Sequence, residues 1–354
     1  RIVAKLEELF SKLDAGVAAV RRTQALLKRY RQSVLHAAVT GELTRAWREA
    51  HPPVPAETGA ALLQRIRAER RAQWEAAQVA KRGGQLPLGE GWKAKYAEPE
   101  AVDTAGLPEL PEGWVWAAGE LVADFVDPQP SHRTPPEFED GIAYIGMGDV
   151  DKNNIVKFDA ARKVHPNVFQ EHIERYQLKI GDFFFGKIGT IGNPVKLPQP
   201  FNYTLSANVI LVQPHHSTAT GYLFWYISGP FINSHFKKNS KATTQAAFGI
   251  QKARVLPIPL PSLAEQAEIV AEVERRLTVL DALSQTLADE LRRAERLRQS
   301  ILHRAFTGRL VPQDATDEPA AALLARLRAT PVAPAKAKAG RGHKAAAQQA
   351  TLGL

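Results

Sequence analysis

Residues 2–43 are written a second time, 267 positions later, at residues 269–310. The two stretches align without a gap and agree at 17 of 42 positions. The agreements include Ile-Val-Ala (2–4 and 269–271), Leu-Asp-Ala (13–15 and 280–282) and most of RQSVLHAAVTGEL (31–43) against RQSILHRAFTGRL (298–310). A shorter match follows, ETGAALLQRIRA (57–68) against EPAAALLARLRA (318–329). Solenoid repeats recur every ~20–50 residues. A spacing this long, with unlike sequence between the copies, predicts two equivalent units flanking one inserted domain.

Each copy predicts a long helix. In the first, Ile2, Leu6, Leu9, Leu13, Gly16, Val20, Thr23, Leu27, Tyr30, Val34 and Ala37 follow steps of four and three, and only Gly16 and Thr23 interrupt the apolar seam. That is the heptad period of a coiled coil. The second copy has a poorer seam, with Arg276, Glu290 and Arg304 at equivalent positions, so an uneven neighbour is expected there. Thr40-Gly41 and Thr307-Gly308 close the periodic stretches, and Gly just past a helix accepts the left-handed backbone that ends it. At 1.5 Å per residue, about 38 residues make a rod of roughly 57 Å. Periodicity alone also permits two helices paired only for stability. The repeated polar residues argue for more: a seam needs apolar side chains, not the same Arg, Gln, Ser and His twice.

The sequence between the copies differs in kind. Residues 57–82 continue as a charged helix within a helical region spanning 1–82, and residues 83–110 have the Gly and Pro content of a linker. From 111 to 261 the chain is rich in aromatic, Gly, Pro and β-branched residues. Strands are expected at Ile142–Ile145, Asp182–Lys187, Ala207–Val212 and Val255–Pro259. Helices are expected at Val168–Arg175 and Gly221–Ser228, the latter running on towards Phe236. Residues 262–330 form the second helical region. Residues 331–354, an Ala/Lys/Gly/Gln-rich basic stretch, are expected to be a disordered tail. The fold class is α+β: one mixed domain flanked by two long repeated helices that form an antiparallel coiled-coil spacer.

The net charge of +9 favours an anionic partner, nucleic acid or a membrane surface. The absence of cysteine excludes disulfides, thiol catalysis and Cys-ligated metal sites. No run of eighteen apolar residues and no signal-peptide pattern occur, so a soluble, cytoplasmic protein without a membrane partner is expected. Within 111–260 the 14 Lys/Arg and 13 Asp/Glu nearly balance, yet all 13 acids lie at or before Asp182. From Phe183 to Ala264 there are seven Lys/Arg and no carboxylate side chain. Cations bind phosphate, and amide and hydroxyl side chains read base edges. This stretch therefore predicts contact with DNA or RNA.

Several segments supply candidate contacts. The loop DPQPSHRTPPEFEDG (127–141), stiffened by four prolines, presents Gln129, Ser131, His132, Arg133 and Thr134. FGKIGTIGN (185–193) lacks the order of a nucleotide-binding loop, and its Lys187 suits a DNA phosphate. Asn202 and Tyr203 add polar groups. The segment 235–252, with Lys237, Lys238, Lys241, Thr243, Thr244 and Gln245, is the foremost candidate for base contact. Zinc-protease, serine-hydrolase, P-loop and dinucleotide motifs are absent. His36 and His303 occupy matched positions with no second metal ligand one turn away, so a hydrogen-bonding role is expected and a metal site is not. A non-catalytic protein is expected.

Taken together, LPEGWVW (110–116), YIGMGDV (144–150), LKIGDFFFGKIGTIG (178–192), the PLPSLAEQ-IV lead-in (259–270) and RQSILHRAFTGRL resemble the specificity subunit of type I restriction–modification systems. The resemblance runs from Arg1 to about Ala329. It implies a target recognition domain at 111–261 that reads one half of a split double-stranded DNA site. It further implies helices that space the halves and dock two modification subunits, through Arg31, Gln32 and His36 in one copy and Arg298, Gln299 and His303 in the other. S-adenosylmethionine would sit on the modification subunits, and ATP and magnesium on restriction subunits, with no cofactor on this chain. A full-length member has two recognition domains. This sequence shows one and begins partway through a repeated motif, so the first recognition domain is expected to have been left out. A natural half-subunit that dimerises is the other possibility. The competing classes are a coiled-coil scaffold whose middle domain binds protein, and the specificity part of a fused restriction–methylation enzyme.

Overall fold

The structure is a computed structural model that describes residues 1–86, 89–239 and 247–329, with backbone only at 237–239. The first element is one unbroken helix, α1 (Ile2–Val39). It stops at the expected place: Gly41 has φ of +72°, where an L side chain is strained. A short helix α2 (Arg45–Ala50) follows, then α3 (Gly59–Ala80), whose first turn is capped by the Thr58 hydroxyl accepting the Ala61 N–H at 3.2 Å.

The central domain runs β1 (Val115–Ala118), α4 (Gly119–Val122), β2 (Ala123–Val126), β3 (Ile142–Ile145), β4 (Lys163–Val164), α5 (Pro166–Arg175), β5 (Phe183–Gly186), β6 (Gly192–Lys196), β7 (Thr204–Leu205) and β8 (Val209–Pro214). It closes with α6 (Tyr222–Ser228), α7 (Pro230–Asn239), α8 (Ile250–Arg254) and β9 (Pro257–Leu260). A four-stranded antiparallel sheet has the order β2-β8-β5-β6. A smaller sheet places β3 between β4, antiparallel, and β7, parallel. β1 and β9 pair antiparallel as a two-stranded ribbon at the base. Alternate residues of β5 serve two cores: Phe183 and Phe185 face the larger one, and Phe184 the smaller one between the two sheets. The helix expected to run from Gly221 towards Phe236 breaks at Gly229 and restarts at Pro230, because proline's fixed φ suits a first turn and not a helix interior.

The chain then enters α9 (Leu263–Phe306) and ends its described part with α10 (Ala320–Ala329). The start of α9 explains the PSLAEQ motif. Glu265, 4% exposed, accepts hydrogen bonds from the Thr44 hydroxyl (2.8 Å) and the Trp114 indole (2.8 Å) and pairs with Arg48. Gln266, fully buried, accepts the Ala219 N–H at 2.9 Å and donates to the Pro261 carbonyl at 3.1 Å. The motif is thus the joint between helical region and domain.

The described chain falls into two compact units. One is residues 15–293; the other joins residues 1–14 to those from 294 onward. The cut passes through both long helices and not through the composition breaks near 83, 110 and 261. The reason is a shared core: Val34, Leu35, Ala38 and Val39 of α1 and Ile269, Val273, Leu277 and Leu280 of α9 belong to the same cluster as Ala117, Leu121, Tyr226 and Leu260 of the domain. In each unit the two helices run antiparallel. In the larger one, Glu265 lies by Thr44 while Asp281 pairs with Arg31. In the smaller one, Arg1 pairs with Asp314 at 3.2 Å while Asp14 pairs with Arg298. Leu6, Leu9, Leu13, Val20 and Leu27 of the seam are half-buried and Tyr30 is exposed, since a single partner helix covers only one side of each.

Candidate nucleic-acid interface

The Pro-rich loop leaves β2 at Val126 and is anchored at its base by three side chains. Arg175, at the end of α5, donates to the carbonyls of Asp127 and Pro128, both at 3.2 Å. Lys187 donates to the Asp127 carboxylate at 2.7 Å. His172, one turn before the end of α5, donates from Nε2 to the Gln129 side-chain carbonyl at 2.6 Å. Two prolines at 128 and 130 and these bonds leave the loop little conformational freedom to lose on binding. Ser131, His132, Arg133 and Thr134 are exposed at its tip, and His132 adopts a left-handed φ of +53°.

The expected contacts separate into different environments. Gln129 is half-buried and engaged at both ends, because its amide N–H also donates to the Ser131 hydroxyl at 2.9 Å. Arg133 and Thr134 project without a side-chain partner among the described residues. Lys187 is 7% exposed and its charge is matched by Asp127, so it acts inside the loop's foundation and does not stand open to a phosphate. Tyr203 corrects the sequence reading outright. It is 1% exposed, packs edge-on against Phe158 and donates to the Pro198 carbonyl at 2.9 Å, so it is a core residue beyond reach of DNA. Its neighbour Asn202 is exposed. Lys237 and Lys238 lie on α7, where only backbone is described; Lys241, Thr243, Thr244 and Gln245 lie outside the described residues.

Core burial accounts for much of the acid-free stretch. Phe183–Phe185 and Val209–Val212 are between 0% and 1% exposed, where a carboxylate would be costly. Of its cations, Lys196 lies over the Phe224 and Trp225 rings at 5.0 and 5.2 Å and 3.8 Å from Glu274. Arg254 is half-buried, in a cleft that Arg70 and Arg175 also line. The support residues Asp127, His172 and Arg175 escaped the sequence reading, since no spacing links positions 127, 172 and 187 before the fold joins them.

At the helix ends, each copy treats its matched residues alike. Arg31 pairs with Asp281, and Arg298 pairs with Asp14, also lying over the Phe10 ring at 4.8 Å. Gln32 and His36 are exposed, as are Gln299 and His303. Exchanging the copies by the 267-residue shift turns one ion pair into the other. Among the described residues no group of three His, Asp or Glu side chains is placed to hold a metal ion, and no helix is long and apolar enough to cross a membrane.

Residues 131–293 match the family described as the Type I restriction modification DNA specificity domain. The specificity subunit of the type I restriction enzyme EcoBI from Escherichia coli is 24% identical over 96% of this chain and 64% of its own length. The EcoDI specificity subunit, also from Escherichia coli, is 25% identical over 96% of this chain and 68% of its own. This chain therefore spans about two thirds of the length of these relatives. The HsdS subunit from Thermoanaerobacter tengcongensis, a crystal structure, overlaps 88% of this chain and 58% of its own at 18% identity and a TM-score of 0.46.

Proposed function

We propose that this protein reads one half of a bipartite DNA target for a type I restriction–modification complex, because residues 131–293 match the Type I restriction modification DNA specificity domain and 96% of the chain aligns with a type I specificity subunit. The observation that carries the reading is the loop at 127–134: an exposed tip of Ser131, His132, Arg133 and Thr134 on a base fixed by Arg175, Lys187 and His172. Polar side chains on a stiff support are what base readout needs, because hydrogen bonds to base edges discriminate only when their geometry is fixed. The helices act as a spacer, and their matched ends offer Gln32 with His36, and Gln299 with His303, to two modification subunits. On this reading S-adenosylmethionine belongs to those subunits, and ATP and magnesium to restriction subunits. The chain itself supplies recognition and no catalysis.

The test is to transplant residues 111–261 into a related specificity subunit and sequence the methylated sites of the host. The expected result is a change in one half of the target and none in the other. Unchanged sites overturn the assignment. Within the loop, Arg133→Ala is expected to lose about 1–3 kcal/mol of discrimination at one base position. A phosphate contact would instead weaken all sequences alike and lower the salt slope by about one unit.

A further inference from the structure

We propose that His172 is a positioning residue for sequence readout: it holds Gln129 as a strut, so that the loop tip from His132 to Thr134 meets the bases in one register. The proposal rests on the DNA-reading role of this loop given above.

Arg175 and Lys187 grip the loop at Asp127 and Pro128, upstream of the tip. Lys187 also reaches the tip, donating to His132 Nδ1 at 3.4 Å, and Gln129 carries a second side-chain connection, onward through Ser131 to the Arg133 backbone. His172 Nε2 donates to Gln129 Oε1 at 2.6 Å, Gln129 Nε2 donates to Ser131 Oγ at 2.9 Å, and Ser131 Oγ accepts the Arg133 N–H at 3.4 Å. The tip is tied by this relay to a buried ring. The ring is itself fixed: Nδ1 meets the Thr204 hydroxyl of β7, and the Tyr176 hydroxyl lies 3.2 Å from Nδ1 and 3.1 Å from Thr204 Oγ1. Burial pushes the imidazole down to about 4, so near neutral pH it has one proton, which the Nε2 bond to Gln129 uses. His132 keeps its left-handed backbone beside this relay, a conformation that persists in a non-Gly residue only where its surroundings determine it. With both ends of its amide engaged, Gln129 is a support for the reading residues and not itself one of them.

The test uses the complex of the full chain with its modification subunits. Binding is compared between a duplex carrying its own methylated site and one with a single base pair changed in the half read by residues 111–261. His172→Leu removes the donor. The ratio of the two affinities is expected to fall by about tenfold or more, the scale of one well-placed base contact, while binding to unrelated duplex and its salt slope stay unchanged. His172→Gln returns a donor near Nε2 and is expected to restore most of the ratio, a rescue that general loss of packing would not give. Gln129→Met cuts the same link from the loop side without disturbing the buried ring, and serves if His172→Leu does not fold. Wild-type discrimination in Gln129→Met, or in folded His172→Leu, overturns the proposal. Arg133→Ala separates the two readings. If it loses discrimination while Gln129→Met does not, the loop reads DNA without needing the strut. If neither loses it, the DNA role of the loop falls as well.

Discussion

His172 is held in a state that free histidine leaves at mildly acidic pH. Its folded value is about 4, lowered first by burial and then by the Arg175 guanidinium, against 6.5 in the unfolded chain. Between those values the unfolded chain binds a proton that the folded one refuses. The group's contribution to stability is therefore complete above pH ~6.5 and falls as the pH drops towards ~4, by at most about 3 kcal/mol. Melting temperature against pH checks this: His172→Gln is expected to lose this acid limb and wild type to keep it. An identical slope in both would remove the assignment. Glu265 poses a different problem, because its carboxylate is buried with Arg48, Thr44 and Trp114 around it. Glu265→Ala leaves a guanidinium, an indole N–H and a hydroxyl without their acceptor, and a loss of about 3–5 kcal/mol in urea unfolding is expected. Neither role was visible in sequence. His172 sits in an ordinary amphipathic helix, and no spacing in the sequence joins Glu265 to Thr44 and Trp114 before the fold does.

Elements were legible where period and punctuation agreed. The long helices, their Gly stops and the strand at Ile142–Ile145 match the sequence expectation, since heptads, Gly and β-branched runs are local signals. β1, β2 and β6 carry no comparable signal, because VWAA, ADFV and GNPVK contain Ala, Asp, Gly, Asn and Pro, residues depleted in strands. The Gly/Pro-rich stretch at 83–110 has a linker's composition, yet Trp92 and Tyr96 pack on Trp74 of α3 at 5.9 and 5.4 Å and Val102 packs on the main core. Its aromatics, not its glycines, decide where it lies. The repeated cassette after each long helix also diverges. Leu62, Leu63 and Ile66 of α3 are buried against the domain, whereas Leu323, Leu324 and Leu327 of α10 are exposed. Gly59 permits the first arrangement: a Cβ there would sit 1.9 Å from the Leu260 carbonyl oxygen. Ala320 occupies the matching place in α10. Gly59→Ala is expected to destabilise by about 1–3 kcal/mol through overpacking, although alanine favours an exposed helix by about 1 kcal/mol. A gain in thermal stability for this variant would show that β9 can move aside.

At the scale of the whole molecule, the repeat bears on how many partners one chain can hold. Two helices that needed only to pair could satisfy each other with unlike residues. Here the same Arg and Asp recur, and each copy's Arg meets the other copy's Asp. Those exposed ion pairs are each worth at most about 1 kcal/mol, too little to explain the repetition by stability. Among the side chains that the repetition leaves on the outside are Gln32 with His36 in one copy and Gln299 with His303 in the other. Two like surfaces on one chain fit two like partners, as the proposed function requires. Substitution should then act in halves. His36→Ala with Gln32→Ala is expected to leave a complex holding one modification subunit, and the matching changes at His303 and Gln299 the other. Only the fourfold variant should lose both, with the fold and the Arg31–Asp281 and Arg298–Asp14 pairs intact. Native mass spectrometry of the purified complexes counts the subunits directly. Full occupancy in the fourfold variant would place the docking surface elsewhere on the helices, and loss of both partners from a two-residue change in one copy would mean that the sites are not independent.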